Sequence, residues 1–263
     1  MKYYIIEKPY SDWAKSLLMF PDIICVQDID QIPDTNNVKI IPITINNMKI
    51  LKNDKRTLFW TDSNTLYNLE DKCVFVEFML QNFPDNIPKV YYIKTDKVIH
   101  DYDYTKVDIK RKMIKKKNIG CNGKGVTIIN LLRDISSHEC NIVVSDYIEH
   151  KDFYVGHFFV LNGEILKQAY LKGSTKNDPN FILKASITKI GHERINNLDC
   201  DDSIFGDIFE KINYTGFACA DFIISSNKIM LFAINLRTGD SLFYDRVVCK
   251  EFFNFVMSSH LLN

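Results

Sequence analysis

The N-terminal part of the chain alternates short apolar runs with turn residues. KYYIIE, DIICVQ, VKIIPITI and TLFWTD are rich in β-branched and aromatic side chains and read as strands. SDWAKSLLMF, between the first two, reads as a helix with Ser11 placed to cap it. A strand, a helix and a second strand in succession predict the start of a small α/β domain. LEDKCVFVEFMLQNF then carries apolar residues at helical spacing and stops just before Pro84, a residue that cannot continue a helix.

From Pro88 the pattern changes. KVYYIK, RKMIKKK, GVTIIN, NIVVSDYI, FYVGHFFVL, EILKQAYLK, CADFII and KIMLFAI are strand candidates. INLLRDISS is helix-like, CDDSIFGDIFEKI is an amphipathic helix, and EFFNFVMSSHLL closes the chain as another. FFVLNGEIL and IISSNKIML predict hairpins turning at Asn162-Gly163 and around Ser226-Asn227. The second part is therefore α+β. The boundary falls near residues 85–100, within a closely packed assembly and not at a tether.

Composition narrows the class. The 263 residues are 46% hydrophobic and 13% aromatic, enough for a sizeable core in one large or two small domains. Lys and Arg total 33 against 33 Asp and Glu, so no overall field draws the chain to nucleic acid or to an anionic membrane. Any anion site has to be local. The seven cysteines never fall as C-x-x-C, which points to free thiols in a reducing compartment and not to a zinc module. The N-terminus lacks the long apolar segment of a signal peptide, and no run of about eighteen apolar residues predicts a membrane span. The expectation is a cytoplasmic protein.

Two stretches carry candidate chemistry. IKKKNIGCNGKGV places Gly120, Gly123 and Gly125 between two strands with lysines on both sides. Glycine lets consecutive backbone N–H groups approach an anion, and Lys115 could add a fixed charge. The stretch does not open a helix and is not a Walker loop; a plain basic hairpin is the competing reading. In FACADFIISS and NKIMLFAIN, a hairpin would set Asp221 opposite Asn235 at one end, two oxygen donors suited to Mg²⁺, with Arg237 beside them. A polar strand end is the alternative there.

Taken in order, these motifs resemble the ATP-grasp superfamily of carboxylate–amine or carboxylate–thiol ligases. LEDKCVFVEFM resembles the helix start whose lysine contacts ATP, which assigns that role to Lys72. MIKKKNIGCNGKGV resembles the glycine-rich lid, with Lys115 as the second phosphate lysine and Lys116 where a proline is often found. VVSDYIEHKDFYV resembles the hinge, placing adenine against the backbone of Asp146, Tyr147 and Ile148 and ribose near Asp152; Ser145 stands where an acid is common. GFACADFIISSNKIMLFAINLRTGDSL resembles the metal-binding hairpin, with Asp221 and Asn235 as ligands and Arg237 as the catalytic guanidinium.

Ala233 stands where the resemblance calls for a glutamate that bridges two magnesium ions. Three accounts stay open: the acid has been removed artificially, the site uses one metal or a ligand from elsewhere, or the chain is a pseudoenzyme. The resemblance implies an α/β lead domain over 1–88 and an ATP-grasp domain over 89–263, with a lid lobe about 89–145 and a metal-binding lobe about 146–263. It implies ATP and Mg²⁺, a small-molecule or peptide carboxylate activated as an acyl phosphate, and an amine or thiol acceptor. The alternatives are a nucleotide-binding protein without turnover and a plain interaction module.

The stretch LKGSTKNDPNFILKASITKIGHERINN is expected to line the acceptor pocket, where Lys172, Lys184 or Arg194 could meet an anion or simply be solvated. His192 and Glu193 lack partners at metal-ligand spacing, and His157 reads as a packed strand residue. Cys121 is a lid thiol beside lysines. The C-terminal aromatic helix reads as core and also offers a homodimer face.

Overall fold

The structure, a computed structural model, describes residues 1–8, 11–17, 19–51, 54–58, 69–94, 99–101, 112–118, 125–130, 141–174 and 192–258. Each of its three sheets gathers strands from one continuous part of the chain. β1 (Lys2–Ile6), β2 (Ile23–Val26) and β3 (Val38–Ile40) form a parallel sheet in the order β2-β1-β3. Helix α1 (Asp12–Leu17) crosses between the first two, and the Ser11 hydroxyl accepts from the N–H of Ala14, as a cap should.

VKIIPITI is shorter as a strand than its composition predicts. It ends at Ile40, and Thr44 caps a short helix α2 (Ile45–Ile50), accepting from the N–H of Asn47. Pro42 supplies no N–H to continue a ladder, and Thr44 and Asn47 form a reciprocal cap that favours the helix. In TLFWTD, Thr57 makes an isolated parallel bridge to Ile40, and Phe59 to Asp62 lie outside the described residues.

The second sheet is antiparallel, in the order β5-β4-β8-β6-β7. Its strands are β4 (Val90–Lys94), β5 (Ile99–Asp101), β6 (Met113–Lys117), β7 (Val126–Ile129) and β8 (Ile142–Asp146). The third runs β11-β10-β9-β12-β13, from β9 (Asp152–Leu161), β10 (Glu164–Ser174), β11 (Glu193–Ile195), β12 (Gly216–Ser225) and β13 (Lys228–Asn235). β5 and β11 are short edge strands that periodicity alone does not reveal. The segment read as an acceptor loop is strand at both described ends, since β10 reaches Ser174 and β11 begins at Glu193.

Both faces of the third sheet are covered, so β9 is buried almost throughout. Phe153, Val155 and Phe159 pack with Tyr3, Ile5 and Ile43 of the first sheet's domain and with Phe252 and Phe253 of α6 (Arg246–Ser258). On the other face, Phe158 and Val160 pack with Phe75 and Met79 of α3 (Lys72–Asn82) and with Phe205 and Phe209 of α4 (Ser203–Lys211). The alternation of side chains along one strand thus gives one face to the first sheet together with the last helix, and the other to α3 and α4. A short helix α5 (Asp240–Tyr244) lies between, where Phe243 stacks on Trp13 at 4.5 Å.

Both two-residue turns form as expected. Asn162 and Gly163 have φ of 49° and 86°, and Ser226 and Asn227 have φ of 49° and 61°. Positive φ at both central positions matches the twist of the flanking strands.

Candidate functional site

Asp71 opens α3 by accepting from the N–H of Cys73 at 2.8 Å and of Val74 at 3.4 Å. Its other oxygen accepts from the side-chain amide of Asn118 at 3.0 Å. The Asn118 carbonyl in turn accepts from the backbone N–H of Lys72 at 3.2 Å and from its Nζ at 3.3 Å. Asn118 follows directly on β6, so the first lysine of the site is fastened to the end of the lysine-bearing strand.

Strand parity decides which β6 lysine joins it. Lys115 pairs with Val144, whose side chain belongs to the cluster with Tyr91, Met113, Ile129 and Ile142 on the far face. Lys116 pairs with Val143, which faces the core shared with α3 and the third sheet. Lys116 crosses to β13, with its Nζ 3.5 Å from the Phe232 carbonyl and 4.9 Å from the centre of the Phe232 ring. Burial, together with the nearby Lys72 charge, lowers its ammonium to about 8, against the pull of Asp221. The lysine that meets Lys72 and Asp221 is therefore Lys116, and Lys115 lies on the opposite face of the strand.

The β12–β13 register differs from the expected one. Asp221 stands opposite Ala233, and Asn235 stands opposite Cys219. A bulge lies between, because Phe222 already pairs with Leu231 and Phe232 is the extra residue. Asp221, Ala233 and Asn235 still share one face, with Asn235 diagonal to Asp221. Burial pushes the Asp221 carboxyl up to about 6, opposed by Arg237, Lys116 and Lys72 and reinforced by Asp240.

Arg237 adds a partner that motif reading missed. Its Nε lies 3.3 Å from Oε1 of Glu70, and its Nη1 donates to the Thr238 carbonyl at 2.9 Å. The Thr238 hydroxyl donates to the carbonyl of Ile43 at 2.7 Å, tying this turn to the chain between β3 and α2. Burial raises the Glu70 carboxyl; Arg237 and Lys72 oppose that shift, and Asp221 adds to it. Oε1 of Glu70 is shielded from solvent and has no well-aligned hydrogen bond. Only its position, directly before Asp71-Lys72, marks Glu70 in the sequence. Lys116 could have been separated from Lys115 by parity with Met113, had the buried face been known.

The expected hinge is partly committed within the protein. Asp146 is buried, accepts from the Tyr91 hydroxyl at 2.7 Å, and gives its N–H to the Lys89 carbonyl at 2.9 Å. Tyr147 gives its N–H to Lys112 at 3.2 Å. The Ile148 carbonyl pairs with Nδ1 of His150 at 2.8 Å, and its N–H has no partner among the described residues. Asp152 is ion-paired with Lys172 at 3.0 Å.

Gly120, Gly123, Cys121 and Lys184 lie outside the described residues. Gly125 has φ of +82°, and its carbonyl accepts from the N–H of Lys117 at 2.9 Å, closing the base of the β6–β7 hairpin. Arg194 is held by both oxygens of Glu251 at 2.7 Å. His192 pairs with Asp245 at 3.1 Å, and buried His157 meets the Ser241 hydroxyl at 2.9 Å. Among the described residues no helix is long and apolar enough to cross a membrane.

Asp221 and Asn235, diagonal on one face of the β12–β13 ladder, are hard oxygen donors of the kind that suits Mg²⁺. Among the described residues, no three His, Cys, Asp or Glu side chains converge at metal-binding distance.

No family model matches the chain, and no curated protein sequence does. Solved structures do. Phosphoribosylamine–glycine ligase from Thermotoga maritima superposes with a TM-score of 0.64 at 12% identity, covering 98% of this chain and 74% of that one. D-alanine–D-alanine ligase from Bacillus anthracis gives 0.59 at 12% identity, covering 92% and 88%. An ATP complex of carboxyaminoimidazole ribonucleotide synthase from Aspergillus clavatus gives 0.53 at 9% identity, covering 91% and 71%.

Proposed function

We propose that this chain, whose fold is that of the ATP-grasp superfamily, binds Mg²⁺-ATP between its second and third sheets and uses it to activate a carboxylate. The observation that carries the reading is the meeting of Lys72, Lys116, Asp221 and Arg237. They come from a helix start, two strands and a turn far apart in sequence: Lys72 hangs on the Asn118 carbonyl at the end of β6, Lys116 reaches the Phe232 carbonyl directly before Ala233, the residue opposite Asp221, and Arg237 follows the same strand. Residues 1–88 are read as the lead domain, about 89–145 as the lid lobe and about 146–263 as the metal lobe.

In this reading Lys72 and Lys116 neutralise the phosphates, and the backbone at Gly120, Gly123 and Gly125 covers them. Lys115 serves the lid from its outer face. The Ile148 N–H is left to meet adenine, beside Asp146 and Tyr147, which brace the hinge. Asp152 would reach ribose on exchanging its ion pair with Lys172. Mg²⁺, held by Asp221 and Asn235, would neutralise charge on the phosphates when bound. Nη2 of Arg237, which has no partner among the described residues, would meet the oxygens of the carboxylate or acyl phosphate, a transition-state role for oriented donors. An amine or thiol then displaces phosphate. Positioning and charge neutralisation are the main sources of acceleration in such transfers.

A second reading is a clamp that binds nucleotide without turnover, and the methyl of Ala233 opposite Asp221 favours it. One experiment addresses both. Titrating the chain with a non-hydrolysable ATP analogue, with and without Mg²⁺, and measuring phosphate release from ATP should give metal-assisted binding and acceptor-dependent turnover. Binding without turnover for any carboxylate–amine pair supports the second reading. No binding at all would remove both.

A further inference from the structure

We infer that Gly239 is a positioning residue for Arg237: its bare Cα lets the turn after β13 lie directly on Cys219 and His157, and that seat fixes the carbonyl that holds the guanidinium. The inference rests on the reading of Arg237 as the group that meets the transferred phosphoryl or the acyl phosphate, and extends it to the residues beneath.

The ladder register sets the seat beside the site. His157 of β9 stands opposite Cys219 of β12, and Cys219 stands opposite Asn235 of β13. Residues directly opposite one another project to the same face, so the three form one row. After Asn235 the chain turns back over this row. A Cβ on Gly239 would fall 2.5 Å from Cys219 Sγ, 3.1 Å from Cys219 Cβ and 3.2 Å from His157 Cε1. Gly239 itself has φ of −91° and ψ of 151°, extended backbone open to any residue. Glycine is required here by space and not by conformation.

The turn is pinned on both sides of Gly239. The buried Thr238 hydroxyl donates to the Ile43 carbonyl at 2.7 Å, and the buried Ser241 hydroxyl meets Nε2 of His157 at 2.9 Å. The carbonyl that accepts from Nη1 of Arg237 at 2.9 Å is that of Thr238, the oxygen of the peptide that joins Thr238 to Gly239. A peptide unit is planar, so the place of the Gly239 Cα governs where that oxygen points. Nε of Arg237 faces Glu70 at 3.3 Å. With Nε and Nη1 both engaged, the plane of the guanidinium is set, and the direction of Nη2 follows from it. A methyl on Gly239 would lift the turn from Cys219 and carry the Thr238 carbonyl with it.

The test uses the full chain as Gly239→Ala and as Gly239→Ala/Cys219→Ala. One readout is the nitrogen–proton resonance of the Arg237 Nε–H, assigned by its loss from Arg237→Lys. The other is the gain in ADP affinity, in Mg²⁺, on adding aluminium fluoride, which mimics the phosphoryl group in flight. Gly239→Ala should shift the resonance and cut the gain by about tenfold or more, the scale for a small misplacement, with affinity for ADP alone kept within about twofold. Removing Sγ through Cys219→Ala should bring both readouts back toward the wild type. If Gly239→Ala lowers only the melting temperature and leaves both readouts alone, the glycine is merely structural and the inference is overturned. A double variant that recovers neither readout overturns it as well. If the wild-type chain gains nothing from aluminium fluoride, the phosphoryl reading of Arg237 fails. The resonance then decides the seat alone, which stands if Gly239→Ala moves it and Cys219→Ala returns it, and falls otherwise. Should Gly239→Ala not fold, Ser241→Ala removes one anchor without adding volume; a shifted resonance with a reduced gain supports the seat, and two unchanged readouts overturn it.

Discussion

Asp221 faces Ala233 across the β12–β13 ladder, and the bulge at Phe232 is what brings them into register. Because the two positions are direct cross-strand neighbours, a new acid at 233 would sit against the existing one. Ala233→Glu should lower the melting temperature of the metal-free chain, as like charges directly opposite are destabilising. Adding Mg²⁺ with an ATP analogue should recover it, by mass action on the folded state. Calorimetry with and without metal measures both halves; a variant indifferent to Mg²⁺ would remove the metal from this hairpin.

Lys116 and Lys115 are neighbours in sequence on opposite faces of β6. Lys116→Ala should weaken ATP-analogue binding by roughly tenfold to a hundredfold, the worth of one charge-assisted hydrogen bond in a buried site. Lys115→Ala should cost clearly less. Titration calorimetry on the two variants ranks them, and the reverse order would return the phosphate role to Lys115.

His157 is buried between β10 and β12, and burial lowers its imidazole to about 3, with His192 adding to the shift and Asp245 opposing it. Its folded value is below the unfolded one, so the unfolded chain binds the extra proton first as pH falls. The stability it contributes is complete above about pH 6.5 and is lost progressively as pH falls toward the folded value of about 3. His157→Gln should start from lower stability at neutral pH, yet show a shallower decline through that window. Denaturant midpoints measured across the pH range give the slope; an unchanged acid limb would mean that His157 is not the proton acceptor.

The two hairpin turns respond in opposite directions. Gly163 has φ of +86°, and a Cβ there would meet the Glu210 backbone at 2.7 Å. Gly163→Ala should therefore destabilise by more than about 1 kcal/mol, from positive φ and the clash together. Ser226 and Asn227 carry the same positive φ without any glycine. Asn227→Gly should be neutral or stabilising, by a few tenths of a kcal/mol. Thermal melts of both variants check the pair.

These particulars also mark what the sequence could reveal. The Asn162-Gly163 turn was legible because two-residue turns need residues that accept positive φ. The β12–β13 hairpin was legible too, but not its register, since nothing local in LFAIN announces that Phe232 is the extra residue. The start of α3 was legible from Asp71, a good cap before an apolar helical run, while the role of Lys72 came only from the resemblance of LEDKCVFVEFM. Lys116 could not, because three consecutive lysines carry no parity of their own until one face of the sheet is known to be buried. Glu70 was invisible for a different reason. Its significance lies in Arg237, far along the chain, and that pairing exists only once α3 is docked on the third sheet.

The packing of Tyr3, Ile5 and Ile43 against Phe153, Val155 and Phe159 bears on how the chain can be shortened. The N-terminal sheet is the lining of the third sheet's inner wall, so trimming it away would strip a broad apolar surface bare. A fragment beginning at the second sheet would be expected to precipitate or to recruit detergent, and its poor behaviour would say nothing about its capacity for nucleotide.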